Sequence, residues 1–204
     1  MDKQFLDQIK IYDPNHYRYI LSNNYERAVF LKGDGILPRE SARYRWASGN
    51  ICNGDKVLEI GCSTGYGVQL LPDIIYTGLD YDSLIIEVAK EQEWSNKASF
   101  IHADINEIQL DYYDSIVAFE VIEHLDNGLE IVENLKKHCD QLLISVPWNE
   151  PVGFWGEHHK LHGLNESHFL GAEFTYIDQH GNITDSPADI NESNHCNLML
   201  CRFK

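Results

Sequence analysis

Between residues 56 and 147 the chain alternates short β-branched runs with longer stretches of helical spacing. The runs are KVLEI (56–60), IIYTGLD (74–80), ASFIHAD (98–104), DSIVAFEV (114–121) and QLLISVP (141–147). Each is short and apolar enough to read as a strand. Between them, SLIIEVAKEQE (83–93) has a helical period with Ser83 as N-cap. NGLEIVENLKKHC (127–139) is an amphipathic helix with Lys136, Lys137 and His138 in its last turn, where a helix dipole favours cations. Strand and helix in regular alternation predict an α/β fold around a mostly parallel sheet. The end of the chain changes pattern. AEFTYID (172–178) and HCNLMLCRF (195–203) are strand-like, and no helix fits the polar stretch between them. They predict an antiparallel pair at the sheet's edge. Residues 1–50 are rich in Tyr and Arg and read as a helical and loop segment, a candidate substrate lid, ahead of a ligand-binding domain over 51–204.

Charge narrows the partners. The 204 residues carry a formal net charge of −16. Such a surface repels a phosphate backbone, so nucleic acid is disfavoured as a partner. The most concentrated basic group is Arg39, Arg43 and Arg45. No stretch reaches the roughly 18 apolar residues needed to span a bilayer, and the N-terminus has no signal-peptide apolar block. The five cysteines form no Cys-x-x-Cys pair, which fits reduced thiols and a cytoplasmic location.

The candidate chemistry sits where strands end. VLEIGCSTGYG (57–67) places Gly61, Gly65 and Gly67 just after the first strand. Ligands of open α/β sheets bind beyond the strands' carboxyl ends. Glycines there allow a tight turn and close backbone approach. Glu59 beside this loop would repel a pyrophosphate and suit a cationic group. Asp80 ends the next strand, where a carboxylate can accept hydrogen bonds from ribose hydroxyls. Asp104 ends the third, in reach of an adenine amino group. A ligand with adenosine and a cationic, phosphate-free tail fits this order: S-adenosylmethionine.

VLEIGCSTGYG, YTGLDYD, HADIN and DSIVAFEVIEHL, taken in order, resemble the successive motifs of class I S-adenosylmethionine-dependent methyltransferases, over about residues 40–203. The resemblance implies a Rossmann-like, mostly parallel seven-stranded sheet with an antiparallel C-terminal strand and helices on both faces. It implies that Glu59, Gly61, Cys62, Ser63 and Gly65 surround the methionine part of the cofactor, with the Cys62 thiol as packing. Asp80 would hold the ribose, Tyr81 would lie against the adenine, and Asp104 and Ile105 would contact it. Glu120 would border the sulfonium end.

FEVIEHL (119–125) adds an acceptor side. If the chain turns helical after the fourth strand, Glu120, Glu123 and His124 share one face. A second cluster, EHHKLHGLNESHF (157–169), follows the fifth strand. Glu-x-x-Glu-His resembles ubiquinone-pathway O-methyltransferases and the small-RNA 3′-terminal 2′-O-methyltransferases, which bind a metal there. That resemblance implies a divalent metal such as Mg on Glu120, Glu123, His124 and one downstream histidine, taken as His159 from among His158, His159, His162 and His168. Without a metal, His124 is the first candidate for a general base and His162 the second. The leading expectation is O-methylation of a small-molecule or sugar-type acceptor. The alternatives are a metal-dependent RNA ribose 2′-O-methyltransferase, a protein methyltransferase and a non-catalytic S-adenosylmethionine-binding subunit.

Overall fold

The computed structural model describes residues 7, 8, 10, 11, 14–21, 28–190 and 195–204. The 1–50 segment therefore lies partly outside the described residues. Its described helices are α1 (Pro14–Leu21) and α2 (Pro38–Ser48). The sheet is formed by β1 (Lys56–Ile60), β2 (Ile75–Asp80), β3 (Ala98–His102), β4 (Tyr113–Phe119), β5 (Cys139–Pro147), β6 (Glu173–Ile177), β7 (Ile183–Thr184) and β8 (Leu198–Phe203). Two further helices, α3 (Ser83–Glu91) and α4 (Gly128–Leu135), connect β2 to β3 and β4 to β5.

The strand order is β3-β2-β1-β4-β5-β8-β6-β7. From β3 to β5 every pairing is parallel, while β8 runs antiparallel to both β5 and β6. The sheet has eight strands where the pattern predicts seven. The extra one is the two-residue β7, which pairs with Tyr176 and Ile177. The Asp178 carboxylate makes it: it accepts from the backbone N–H groups of His180 and Asn182 and from the Asn182 amide, and this closes a hairpin.

Alternate residues of each central strand feed two cores. Leu58, Ile116, Leu142 and Ile144 face one side with Ile131, Val132 and Leu135 of α4. Val57, Val117 and Leu143 face the other with Tyr44 and Ala47 of α2 and Ile86 and Ala89 of α3. Burial on both faces is why these strands read as continuous apolar runs and not as alternating ones.

Two local details differ from the sequence pattern. Asp82, and not Ser83, caps α3, its carboxylate accepting from the N–H groups of Leu84 and Ile85. After β4 the chain does not turn directly into a helix. Glu120 sits at φ 54° and a single short 3-10 turn covers Ile122–His124. The cause is long-range: Glu120 N–H donates to Ser145 O and Oγ on β5, and Ser145 Oγ donates back to the Glu120 carboxylate at 2.8 Å.

Candidate cofactor and acceptor site

The chain winds outward from β1 to β3 on one side and resumes at β4 on the other. The crevice at the carboxyl ends of β1 and β4 is therefore the switch point of the sheet. A cavity of about 590 Å³ opens there. Its lining takes Gly61 and Ser63 from the loop after β1, Asp80 and Tyr81 after β2, and Glu120, Val121, Glu123, His124 and Leu125 after β4, while Ile122 is buried in the core. Arg39, Glu40 and Arg43 of α2 form one wall, and Trp155, His158 and His159 another.

The glycine loop is held from above and below. Ser63 Oγ donates to Ala28 O and Thr64 Oγ1 to Phe30 O, strapping residues 28–30 across it. Gly65 has φ 72°, and a Cβ there would run into the Phe100 ring. Gly67 has another purpose than ligand approach: the Tyr44 ring of α2 occupies the space its Cβ would need. Cys62 is buried with its sulfur against Gly78, a packing position.

Asp80 is buried and receives the Ser63 N–H at 3.1 Å and the Asp82 N–H at 3.0 Å, one on each oxygen. That fixes the carboxylate at the cavity wall. Tyr81 is 61 % exposed at the rim. Asp104 does not line the cavity. It is exposed and folds into its own turn, accepting from the N–H and amide of Asn106, while Ile105 is in the core.

Glu59 is also set back from the cavity. Its two oxygens accept from the hydroxyls of Tyr44, at 2.5 Å, and Tyr76, and it is 1 % exposed. Burial pushes its pKa up to about 7 against the opposing pull of the two hydroxyls. The carboxylate therefore ties α2 and β2 together beneath the loop.

The acceptor side is organised by the loop from Trp148 to Asn165. Its neck is closed by Asn149 N–H to Leu164 O and Gly163 N–H to Glu150 O. Its far part is docked by the N–H groups of Lys160 and Leu161 on Glu123 O. Inside, the buried Glu150 carboxylate accepts from the Trp155 N–H at 3.3 Å and lies 2.5 Å from His159 Nδ1. Burial, then the neighbouring His158 and His162, bring the His159 pKa down to about 4. His159 is thus neutral at neutral pH, and its contact with Glu150 is an N–H···carboxylate hydrogen bond, not an ion pair.

Glu123, His124 and His159 bring one potential ligand atom each within 4.8 Å of one another. Glu123 is fully buried, neither carboxylate oxygen has a hydrogen-bond partner, and burial, then the Glu120 charge, raise its pKa well above the usual carboxylate range. Glu120, turned toward Ser145 by its positive φ, is outside this group. His162 does not line the cavity; it lies near Glu150, and His168 is used up capping the turn at 166–168. Backbone strain collects at the same place: Ser63, Glu120 and Asn149, at φ 51°, 54° and 50°, are the non-glycine residues with positive φ among those described.

Arg43 is a residue that motif reading missed. It is 6 % exposed, lines the cavity, approaches the Tyr66 hydroxyl beyond Gly65, and its Nε is buried without a partner. The available signal was the Arg39/Arg43 spacing of four on a helix ahead of β1.

Residues 58–141 match the family model described as a methyltransferase domain. Among curated proteins, the malonyl-(acyl-carrier protein) O-methyltransferase of Priestia megaterium is 40 % identical over 98 residues, which are 44 % of this chain and 36 % of that one. The chain spans about a third of the length of the curated relatives it matches. The structure of the N-methyltransferase NodS from Bradyrhizobium japonicum with S-adenosyl-L-homocysteine superposes with a TM-score of 0.65 at 18 % identity, covering 90 % of this chain and 95 % of that one. The plantazolicin methyltransferase BpumL, in complex with a triazolic desmethylPZN analog and SAH, gives 0.63 at 16 % identity, covering 100 % of this chain and 99 % of that one. At these identities the structural likeness is one of fold.

Proposed function

We propose that the chain is a class I S-adenosylmethionine-dependent methyltransferase and that it transfers the cofactor's methyl group to an oxygen of a small-molecule or sugar-type acceptor, a reading supported by the methyltransferase-domain match over residues 58–141 and by the Priestia relative. The observation that carries the reading is the cavity in which the strapped glycine loop and the buried Asp80 meet the Glu120, His124 and Trp155 wall. In this reading Asp80 binds the ribose and Tyr81 covers the adenine. Gly61 and Ser63 border the methionine tail, and Arg43 pairs with its carboxylate. Asp104 and Glu59 act at a distance from the cofactor, Glu59 by fixing α2 over the loop. Residues 28–48 cover the cofactor's tail and supply one wall of the acceptor space.

The chemistry asks for alignment above all. The acceptor oxygen attacks the methyl carbon, the carbon–sulfur bond breaks in line, and S-adenosylhomocysteine leaves with the electron pair. A hydroxyl acceptor also loses a proton, and His124 at the cavity wall is the base we assign. Its Nδ1 faces His158 O at 3.4 Å, and with Nδ1–H donated to that carbonyl Nε2 is the basic nitrogen of the ring. The O-methyl transfer named for the Priestia relative favours an oxygen acceptor.

One observation favours a second reading, metal-dependent transfer to a ribose hydroxyl of RNA. The Glu123, His124 and His159 group fits a divalent cation: a buried carboxylate without partners, and two imidazoles, one with Nδ1 held by the Glu150 carboxylate so that Nε2 remains for a ligand. A cation there would supply charge for a developing alkoxide. The net charge of −16 stands against an RNA acceptor. The test is transfer of label from S-adenosylmethionine into fractionated cell extract, with and without chelator. Label in a small-molecule or glycan fraction, indifferent to chelator, supports the first reading. Label in nuclease-sensitive RNA, abolished by chelator, establishes the second in its place.

A further inference from the structure

Seven buried side-chain polar atoms lack a hydrogen-bond partner among the described residues, and five of them belong to four residues that line the switch-point cavity: Arg39 Nε, Glu40 Oε2, Arg43 Nε and both oxygens of Glu123. Native proteins leave few such atoms unpaired, so a concentration around a cavity marks where a polar ligand belongs. The two arginines are the notable members. Arg18 and Arg202 each pair with a carboxylate, whereas Arg39 and Arg43, like Arg45, make no ion pair among the described residues. A guanidinium N–H left unpaired at a cavity wall is costly, and a bound anion that accepts from it removes that cost.

The two occupy successive turns of α2, and their surroundings differ. Arg43 is next to Tyr66 and the glycine loop, the tail of the proposed cofactor site. Arg39 is one turn nearer the N-terminus, and its neighbours belong to the acceptor wall. Its Nη2 donates to Cys196 O at 2.7 Å, just before β8, and Leu37, Trp155 and Leu198 line the cavity with it. Both arginines line the same cavity as Glu120 and His124, the wall where the methyl is delivered. With Nη2 anchored on a carbonyl, Arg39 is fixed in place while Nε has no hydrogen-bond partner. A guanidinium edge of this kind takes a carboxylate or phosphate through parallel hydrogen bonds.

We propose that Arg39 anchors an anionic group, a carboxylate or a phosphate, on the methyl acceptor, while Arg43 serves the cofactor. This rests on the cofactor site proposed above. One fixed guanidinium in a cavity suits a compact acceptor with one anionic group, and the charge of −16 disfavours a polyanion.

The test uses the full chain saturated with S-adenosylhomocysteine. Malonate, inorganic phosphate and uncharged malonamide are titrated at constant ionic strength, with the melting temperature as readout. Malonate, phosphate or both raise the melting temperature of the wild type, and which of them does so tells carboxylate from phosphate; malonamide does not. In Arg39→Gln the anion-induced rise is lost while the affinity for S-adenosylhomocysteine by calorimetry stays within about threefold. In Arg43→Gln that affinity falls by about tenfold or more. An anion rise that survives in Arg39→Gln, a wild type indifferent to all three probes, or equal loss of cofactor affinity in both variants overturns the assignment. A wild type that does not bind S-adenosylhomocysteine overturns the cofactor site itself. Should Arg39→Gln not fold, Arg39→Lys carries the test: losing the fork weakens the anion response about tenfold, and an unchanged response counts against Arg39.

Discussion

Glu59 offers the sharpest physical test of how α2 is fixed over the loop. Its carboxyl is buried and accepts from the Tyr44 and Tyr76 hydroxyls, and its pKa moves from 4.5 to about 7 on folding. Folding therefore favours the protonated form. The contribution to stability is fully present below the unfolded value of 4.5 and is lost as pH rises through 7. At about 1.4 kcal/mol for each pH unit, the loss between pH 4.5 and pH 8 is about 3 kcal/mol. Glu59→Gln cannot ionise, so it should escape this loss. His159 acts in the opposite sense: its depressed pKa costs stability as pH falls below 6.5 toward 4. That term is common to both proteins and cancels in their difference. Urea unfolding of wild type and Glu59→Gln without cofactor, at half-unit steps from pH 4.5 to 8, should show the variant gaining on the wild type by about 3 kcal/mol. A difference that stays flat across the range would refute the burial argument for Glu59.

Three other substitutions probe the site. Asp80→Asn should weaken S-adenosylhomocysteine binding by about tenfold or more in calorimetry, because the amide replaces an acceptor held by the Ser63 and Asp82 N–H groups with one donor face. Gly65→Ala should destabilise the fold by about 2–4 kcal/mol in urea unfolding, since φ 72° disfavours an L side chain and the new methyl meets the Phe100 ring. His124→Ala should cut turnover at saturating cofactor while leaving S-adenosylhomocysteine affinity in place; near-normal turnover would remove His124 as base.

The outline of this fold is written in the apolar runs. Strands buried on both faces cannot hide their composition, and the alternation of those runs with α3 and α4 specifies a parallel sheet whose loop ends include Gly61, Asp80 and Glu120. What the pattern could not show depends on partners distant in the chain. The positive φ of Glu120 comes from Ser145, 25 residues on, and it removes Glu120 from the face expected to be shared with Glu123 and His124. Glu59 reads as a ligand for a cation until Tyr44 and Tyr76 are seen to occupy both its oxygens. The histidines of the 157–168 stretch look equivalent in sequence. Only the Glu150 carboxylate, which folds the loop around itself, brings His159 to the cavity and leaves His162 behind it. Arg43 is inconspicuous in a Tyr- and Arg-rich stretch and becomes significant once burial strips it of partners.

The central claim is that the cavity at the switch point is an S-adenosylmethionine site. Calorimetric titration of the purified chain with S-adenosylhomocysteine, with NAD and ATP as controls, tests it most directly. One saturable site in the micromolar range is expected for S-adenosylhomocysteine, weakened in both Asp80→Asn and Arg43→Gln, with no comparable binding of the two phosphate-bearing nucleotides. Binding of NAD or ATP in preference, or S-adenosylhomocysteine binding that neither substitution changes, would contradict it.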